Sequence, residues 1–508
     1  MIVAIEKESS AEMGRQDYWS RLRLGDICEI IRGVTYKKEQ ASEQPAQDSV
    51  PILRATNIQD GVLVIDRDLV FVLADVVSEN QKLRVGDIVV ATSSGSKHLV
   101  GKTAQVKELW TGSFGAFCAA LRPIVEIDHR YLGYFFGSKE YKDYITNKAL
   151  GVNINNLRRS DLEEISVPVA PLDQQKLIVA EIEKQLSRLD EAVANLKRVK
   201  ANLKRYKSAV LKAAVEGRLV ETEAEIARSE GRRFETGAEL LQRILETRRS
   251  QWNGKGKYKE PAAPDTTYLP ELPEGWVWSN FERSAERVTV GHVGSMKDEY
   301  VEKGIPFLRS QNVRANRYDS DGLKFVSAGF HRQLAKSTLR PGDIVVVRSG
   351  SVGVSCVIPE HLHEANCSDL VIIKNPQAVL PDFGAYYMNS VVETRVAAGK
   401  VGVALTHFNT QSVAVLPLPV PPMAEQRRIV AEVDRRLSLI REVETQVNAN
   451  LKRAERLRQS ILQQAFSGKL VVEAASCRLN INNQRQDAAA TYELPMAAEP
   501  PATSRAEP

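Results

Sequence analysis

Two stretches of this sequence are versions of each other: Leu172-Asp-Gln-Gln-Lys-Leu-Ile-Val-Ala-Glu-Ile182 and Met423-Ala-Glu-Gln-Arg-Arg-Ile-Val-Ala-Glu-Val433. Gln175 in the first and Gln426 in the second are 251 positions apart. The glycines that follow the two stretches, at 217 and 468, have the same separation. Equal internal length with fixed landmarks indicates that one structural unit was duplicated.

Each stretch opens a long helix with a narrow apolar seam. Apolar residues recur at spacings of four and three, which is the pattern of a coiled coil. Pro171 and Pro422 stand just before the helix starts, and Gly217 and Gly468 stand where helix-ending residues belong. The seam positions are Ile182, Leu186, Leu189, Val193, Leu196, Leu203 and Val210 in the first helix, and Val433, Leu437, Ile440, Val447, Leu451 and Ile461 in the second.

A seam this long and narrow needs a partner helix, and the second copy in the same chain is the partner that we expect. The heptad is repeated literally in Asn195-Leu-Lys-Arg-Val-Lys-Ala201 and Asn202-Leu-Lys-Arg-Tyr-Lys-Ser208. Lys200 and Glu444 both fall on seam positions. In an antiparallel pair with aligned middles they would lie close together and could fix the register.

Composition describes a soluble chain in a reducing compartment. The 508 residues suggest three or four domains, and 43% apolar and 26% charged residues are ordinary values. No apolar run approaches the ~20 residues of a membrane span, and no secretory pattern is present. Five cysteines form no CxxC pair. We therefore expect a cytoplasmic protein without membrane contact. A net charge of +5 permits nucleic-acid binding without requiring it.

The predicted fold class is α+β, with strands first and helices packed later in each of two globular regions. In the first region we expect strands at 62–65, 87–91 and 121–125 and an amphipathic helix at 130–148. The predicted segments are a flexible N-terminus at 1–18, a globular region at 19–170, a long helix at 171–220, a partly helical charged segment with linker at 221–272, a globular region at 273–421, a long helix at 422–471 and a disordered tail at 472–508.

The two globular regions also match each other, more weakly than the helices do. Val50-Pro-Ile-Leu-Arg-Ala-Thr-Asn57 corresponds to Ile305-Pro-Phe-Leu-Arg-Ser-Gln-Asn312, and Leu83-Arg-Val-Gly-Asp-Ile88 corresponds to Leu339-Arg-Pro-Gly-Asp-Ile344. Divergence on a shared scaffold is typical of two readers of different ligands. Ordinary drift after duplication is the alternative.

Signatures of catalysis and metal binding are missing. Gly95-Ser-Lys-His-Leu-Val-Gly-Lys-Thr103 is one residue too long for a phosphate-binding loop and precedes a predicted strand instead of a helix. The thiols and imidazoles of Cys356, His361, His363 and Cys367 match no familiar zinc spacing. We find no nucleophile elbow and no HExxH. The sequence therefore predicts no catalytic residue and no metal site.

Loops rich in Arg, Asn and Gln are plentiful, and these side chains make bidentate contacts to guanine and adenine edges. Solvated loops have the same composition, so the composition alone does not identify a DNA contact. The basic run at 192–215 is likewise open to three interpretations: a solvated helix face, a track for DNA phosphates or a surface for an acidic partner. The residues that we predict to bind DNA are Arg54, Asn57, Lys97, His98, Lys102, Asn153, Asn155, Asn156, Arg158, Arg309, Gln311, Asn312, Arg314, Arg348, His407 and Asn409.

Taken together, these features resemble the specificity (S) subunits of type I restriction-modification systems. The marks are Leu272-Pro-Glu-Gly-Trp-Val-Trp278, the Gly-Lys-Gly-Lys-Tyr-Lys-Glu-Pro linker at 254–261, and the twin helix ends Glu216-Gly-Arg-Leu-Val220 and Ser467-Gly-Lys-Leu-Val471. The resemblance covers about 19–471. One departure is Asp17-Tyr-Trp-Ser20, which stands where the first region would carry Pro-Glu-Gly-Trp.

The resemblance implies two α/β target-recognition domains, each reading one half of a bipartite site in double-stranded DNA. The long helices would pair as an intramolecular antiparallel coiled coil that sets the spacer. Two methyltransferase (M) subunits and restriction (R) subunits would be the partners in defence against foreign DNA. S-adenosylmethionine, ATP and Mg would bind to those partners and no cofactor to this chain. A nucleic-acid-modifying enzyme and a coiled-coil adaptor without DNA specificity are the alternatives.

Overall fold

The computed structural model describes residues 19–470 except 60, 95–98, 151–155, 255 and 398–408. The predictions for 1–18 and for the tail at 472–508 lie outside these residues. The fold is α+β. The chain forms two compact units, of which the first is Met1–Leu196 with Ala449–Pro508 and the second is Lys197–Asn448.

The first unit consists of short strands followed by helices. Its strands are β1 (Ser20–Arg23), β2 (Cys28–Arg32), β3 (Ala41–Ser42), β4 (Ser49–Leu53), β5 (Ile58–Gln59), β6 (Val62–Leu63), β7 (Val70–Leu73), β8 (Ile88–Ala91), β9 (Thr103–Gln105), β10 (Ser113–Phe114), β11 (Cys118–Pro123) and β12 (Ser166–Val169). Its helices are α1 (Leu24–Ile27), α2 (His129–Phe135), α3 (Lys139–Leu150), α4 (Arg159–Glu163) and the first part of α5 (Leu172–Val215).

The second unit repeats this order after two additional helices. These helices are α6 (Glu223–Glu230) and α7 (Gly237–Ser250). The elements that follow are β13 (Val277–Asn280), α8 (Phe281–Ser284), β14 (Ala285–Val290), β15 (Tyr300–Val301), β16 (Ile305–Leu308), β17 (Val313–Arg314), β18 (Arg317–Tyr318), β19 (Lys324–Val326), α9 (Ala328–Gln333), β20 (Ile344–Val347), β21 (Ser355–Val357), β22 (Asn366–Cys367), β23 (Leu370–Pro376), α10 (Pro381–Ala397), α11 (Thr410–Ala414), β24 (Pro417–Val420) and α12 (Met423–Phe466).

The sheets of the two units have the same topology. In the first unit an antiparallel sheet has the order β2-β11-β8-β9, and in the second the order is β14-β23-β20-β21. A second sheet, β10-β4-β7-β3, corresponds to β15-β19-β16-β22 read in reverse. Each of these contains one parallel pair, β10 with β4 and β22 with β16. Strands β1 and β12 pair as β13 and β24 do. The two globular regions are therefore copies of one fold.

The long helices help to form the core of each unit. In the first unit Ile182 and Leu186 of α5 share a buried cluster with Ile461 of α12, and Arg458 forms an ion pair with Asp190. In the second unit Val210 of α5 shares a buried cluster with seam residues of α12, namely Val433, Leu437 and Ile440. The predicted seam positions are buried or partly buried throughout.

Lys200 has a different partner from the one predicted. Its ammonium donates to Asn448 Oδ1 at 2.9 Å, one helical turn along α12 from Glu444. The prediction of a Lys200–Glu444 pair was therefore wrong. The polar contact at this level of the seam joins a cation to an amide.

The predicted helix at 130–148 is two helices, α2 and α3. Ser138 starts α3, since its hydroxyl accepts a hydrogen bond from Tyr141 N at 3.3 Å, and Gly137 precedes it. A side-chain cap of this kind favours a new helix start over continuation. The strand expected at 121–125 is part of β11, which ends at Pro123, and that expected at 62–65 ends at Leu63.

The charged segment after α5 is more ordered than its composition suggested. Thr222 and Thr236 each close a capping box at the start of α6 and α7. Leucines 240, 241 and 245 of α7 are buried in the same cluster as Trp276 and Phe281. Apolar residues spaced along a charged helix were the sequence signal for this packing.

Candidate nucleic-acid interface

The turn after β4, and its copy after β16, is held by a buried asparagine. Asn57 Oδ1 accepts from Arg54 N at 2.9 Å, and its amide donates to Val64 O at 2.9 Å and Arg67 O at 3.0 Å. Both Asn57 and its equivalent Asn312 are buried. Their amides are consumed by the fold, which corrects the prediction that these two side chains bind DNA.

Asn312 makes the same set of bonds in the second unit. Its Oδ1 accepts from Arg309 N at 3.0 Å, and its amide donates to Asp319 O at 2.9 Å and Asp321 O at 3.0 Å. The arginines of both turns donate to loop carbonyls, Arg54 to Asp68 O and Arg309 to Gly322 O, each at 2.8 Å. The shared Leu-Arg-x-x-Asn motif is therefore a scaffold element.

The shared Leu-x-x-Gly-Asp-Ile motif builds a turn on a buried ion pair. Asp87 Oδ2 accepts from Arg84 N at 2.8 Å and lies 2.7 Å from Arg122 of β11, with 2% and 9% of the side chains exposed. In the second unit Asp343 accepts from Arg340 N at 2.9 Å and pairs with Lys374 of β23, which is also buried. Each buried cation thus has a carboxylate partner, and removal of either partner would leave an uncompensated buried charge.

The repeated glutamines join each long helix to its globular region. Gln175 is buried, accepts from Asp128 N at 2.8 Å, and donates to Ala170 O at 2.7 Å. Gln426 accepts from Leu380 N at 2.7 Å and donates to Ala378 O and Pro421 O at 2.9 Å. In both units the backbone N–H that donates to the glutamine side chain lies in the loop between the longest strand and the next helix. This loop connects β11 to α2 in the first unit and β23 to α10 in the second.

A tryptophan has the same place at the start of both globular regions. Trp19 precedes β1 and donates from its indole to Gln174 Oε1 at 3.1 Å. Trp276 precedes β13 and donates to Glu425 Oε1 at 2.9 Å. The Asp17-Tyr-Trp-Ser20 stretch thus supplies the tryptophan of the missing Pro-Glu-Gly-Trp motif.

The two units differ where β8 and β20 end. The register of the strands shows which residues are equivalent: Leu121 pairs with Ile88 in the first unit as Ile373 pairs with Ile344 in the second. Counting along the strands from these pairs, Thr92 is equivalent to Arg348, and Phe117 is equivalent to Asp369. In the first unit Thr92 N donates to Phe117 O at 2.9 Å, and Phe117 is 67% exposed. Asn156, a predicted DNA contact, is exposed and bridges to Ser93 beside them.

In the second unit the same place carries an ion pair. Arg348 Nη1 lies 2.6 Å from Asp369 Oδ1, with 24% and 42% of the two side chains exposed. Ser349 Oγ donates to the other carboxylate oxygen at 3.4 Å. The hairpin from Ser349 to Ser351 is exposed, and Gly350 adopts φ +80°, which favours glycine. Phe117 and Asp369 were not among the predicted DNA contacts. They could have been noticed from the sequence because they occupy equivalent positions in the two copies and differ in residue type.

The other predicted DNA contacts are spread over the surface. Lys102 and Arg158 are exposed, Gln311 donates to Gly322 O at 3.3 Å, and Arg314 lies 3.2 Å from Asp319. Asn409 caps α11 through a bond from Ser412 N at 2.8 Å. The remaining predicted contacts fall outside the described residues, namely Lys97, His98, Asn153, Asn155 and His407.

The thiols, imidazoles and carboxylates of the described residues form no cluster that could hold a metal ion. In that part of the chain, no group of three or more His, Cys, Asp or Glu is placed to hold a metal ion. Burial raises the pKa of the Cys356 thiol to about 12, which keeps it protonated, and His361 and His363 are exposed. No helix in the described ranges has the length and apolarity to cross a bilayer.

Comparison with known proteins agrees with this architecture. The family described as type I restriction modification DNA specificity domain matches residues 16–205. The chain is 30% identical over 489 residues to the type I restriction enzyme EcoKI specificity subunit of Escherichia coli K12, covering 94% of each. It is 29% identical over 490 residues to the StySPI specificity subunit of Salmonella potsdam, with the same coverage. The chain belongs to the type I restriction enzyme specificity subunits.

A solved structure shares the fold. It comes from a study of complex assembly and conformational transition of the type I R-M system, and the match has a TM-score of 0.59. The match covers 91% of this chain and 100% of that chain at 17% identity, so it speaks for the fold alone.

Proposed function

We propose that this chain selects the DNA sequence on which a type I restriction-modification complex acts. The region at 19–170 reads one half of a bipartite target, and the region at 273–421 reads the other. The observation that supports this most directly is a comparison of the two copies of the scaffold. The side chains of their shared motifs form bonds within the fold, whereas the exposed residues at their strand ends differ. Two readers with different targets need this combination.

The decisive experiment maps methylated adenines in the host genome with and without this gene. The expected result is a bipartite motif that disappears on deletion and returns when the gene is supplied on a plasmid. A motif that persists after deletion, or one without two separated halves, would contradict the proposal. A plasmid encoding the chain without residues 273–421 is the matched control, and it should not restore the motif.

The long helices, α5 and α12, act in this proposal as an intramolecular antiparallel coiled coil that sets the spacer. Support comes from each unit by itself. The start of α5 packs with the end of α12 in the first unit, and the end of α5 packs with the start of α12 in the second. One added heptad in both helices extends the pair by about 10 Å, at 1.5 Å per residue. At 3.4 Å per base pair this adds about three base pairs to the spacer.

The heptad insertion has a simple readout. Duplicating 195–201 in α5, with a matching heptad in α12, should leave both half-sites unchanged and lengthen the spacer in the methylation map. An unchanged spacer would refute the ruler. A single insertion in α5 alone is the control, because it shifts one seam against the other and should reduce methylation at every site.

Catalysis belongs to the partners in this proposal. Two M subunits bind S-adenosylmethionine and methylate adenine, R subunits use ATP and Mg, and the complex works in the cytoplasm. This chain supplies sequence choice and binds none of these cofactors. The purified chain mixed with DNA and methyl donor should therefore show no methylation. Methylation should appear when the M subunit is added. Turnover by the chain alone would contradict the division of labour.

A further inference from the structure

We propose that Arg348 reads a guanine in the half-site of the second globular region, with Asp369 as the residue that positions it. This inference rests on the proposed function and adds the base that one side chain selects. Arg348 stands at the end of β20, beside the exposed hairpin Ser349–Ser351. The backbone there is accessible, and Gly350 carries no side chain to obstruct a groove.

The guanidinium is fixed before any ligand arrives. Its Nη1 bonds to Asp369 Oδ1 at 2.6 Å, and Ser349 Oγ bonds to the second carboxylate oxygen. Asp369 itself is held in place, because its backbone N–H donates to His292 O at 3.0 Å. An arginine that is pre-oriented in this way loses little conformational freedom when it binds, so more of the contact energy remains for discrimination.

The remaining donors of Arg348 suit guanine best. Arginine has five N–H donors. One Nη1 donor is committed to Asp369 and the Nε donor is buried, so three donors of Nη1 and Nη2 remain for a base. Guanine offers two acceptors, N7 and O6, on its major-groove edge. Adenine offers one acceptor and one donor there, so an arginine can satisfy only half of that edge. The geometry therefore selects guanine over adenine.

The first unit is built differently at the matching place. Thr92 and the exposed Phe117 hold the places of Arg348 and Asp369, and neither of these two residues carries a charged donor. An arginine held by an aspartate at these two positions is therefore a feature of the second unit, and the guanine that we assign to it belongs to the second half-site. The alternative for Arg348 is an ordinary surface ion pair, which contributes little to stability and nothing to sequence choice.

The test maps methylated adenines in cells that carry the complete complex with wild-type chain, Arg348→Ala or Arg348→Gln. With Ala, one G·C position of the second half-site should become degenerate, and discrimination there should fall roughly 5- to 150-fold, since a bidentate pair contributes ~1–3 kcal/mol. With Gln, the same position should shift toward A·T, because glutamine pairs with adenine. A gained preference cannot result from misfolding.

The control is Arg243→Ala, which removes an exposed arginine of α7 that is ion-paired with Glu235, and it should leave the motif unchanged. An intact motif in both Arg348 variants would overturn the inference. Equal weakening at all sites without a change of motif would also overturn it, since that result describes a phosphate contact. Both outcomes leave the bipartite motif in place. Failure of the proposed function is different, because the wild-type chain would then yield no bipartite motif.

Discussion

The two globular regions share their turns and differ at their strand ends. In the turns, Asn57 and Asn312 make the same three bonds, and Asp87 and Asp343 both neutralise a buried cation. At the strand ends, an exposed phenylalanine in one unit stands where an aspartate–arginine pair stands in the other. In this protein the positions that are identical in the two copies hold the fold together. Under the proposed function, the positions that differ are where the two readers would contact different DNA.

The largest effect should follow from exchanging a whole reader. Replacing residues 273–421 with those of a relative should change one half of the methylated motif completely and leave the other half and the spacer as they were. The reason is that the exposed strand ends of the first unit stay untouched. Genome-wide mapping of methylated adenines gives the answer. A simultaneous change in both halves would show that the readers are not modular, and the same exchange at 19–170 is the reciprocal control.

Breaking the buried ion pairs tests the shared scaffold. Asp87→Ala and Asp343→Ala each leave a buried cation without its carboxylate, in Arg122 and Lys374. Each change should lower the free energy of unfolding by about 3–5 kcal/mol, measured by denaturant titration. Asp143→Ala removes an exposed pair with Lys139 on α3 and should cost less than about 1 kcal/mol. A loss in one unit only would contradict the equivalence of the two turns.

The buried asparagines test the same turns through neutral hydrogen bonds instead of charges. Asn57→Ala and Asn312→Ala leave backbone groups unpaired, and each unsatisfied group costs about 1–3 kcal/mol. Both variants should unfold more easily and keep the methylation motif unchanged. Asn202→Ala, on the exposed face of α5, is the control, and it should neither lower stability nor change the motif. If Asn312→Ala altered the second half-site without a loss of stability, its amide would be reading DNA after all.

Sequence alone could predict the long helices because a seam is a property of local spacing. It could not separate Asn57 from Asn156, since both are amides in polar loops and only burial distinguishes them. Composition likewise favoured Arg54 and Arg309, which donate to loop carbonyls. The interrupted helix at 136–138 depends on one serine cap, a signal that a strong apolar period concealed.

The contact between Trp276 and Glu425 marks another difference between the units, since Trp19 meets Gln174 instead. Burial is the largest effect on Glu425 and raises the pKa of its carboxyl. The hydrogen bonds that the carboxyl accepts from Glu223 N and from Trp276 lower that pKa and offset the effect of burial only in part. Burial also acts to raise the pKa of the neighbouring Glu223. The bonds and charges of Arg428 and Arg232 outweigh it, and that pKa is lowered.

The contributions of the two carboxyls to stability therefore change in opposite directions with pH. Glu425 contributes stability that is fully present below its ordinary pKa and is lost as pH rises through its raised value. Glu223 contributes stability that is present above its ordinary pKa and is lost as pH falls through its lowered value. Glu425→Gln, which copies the first unit, removes only the first contribution.

The smallest expected effect is therefore a change in pH dependence. The variant should gain stability relative to wild type as pH rises from the ordinary glutamate range toward neutral, measured by denaturant titration at several pH values. Gln174→Ala in the first unit is the control, because it removes an amide and should produce no pH-dependent difference. A difference between Glu425→Gln and wild type that stays constant across this range would mean that Glu425 is ionised throughout, held by the Trp276 indole and the Glu223 backbone against its burial.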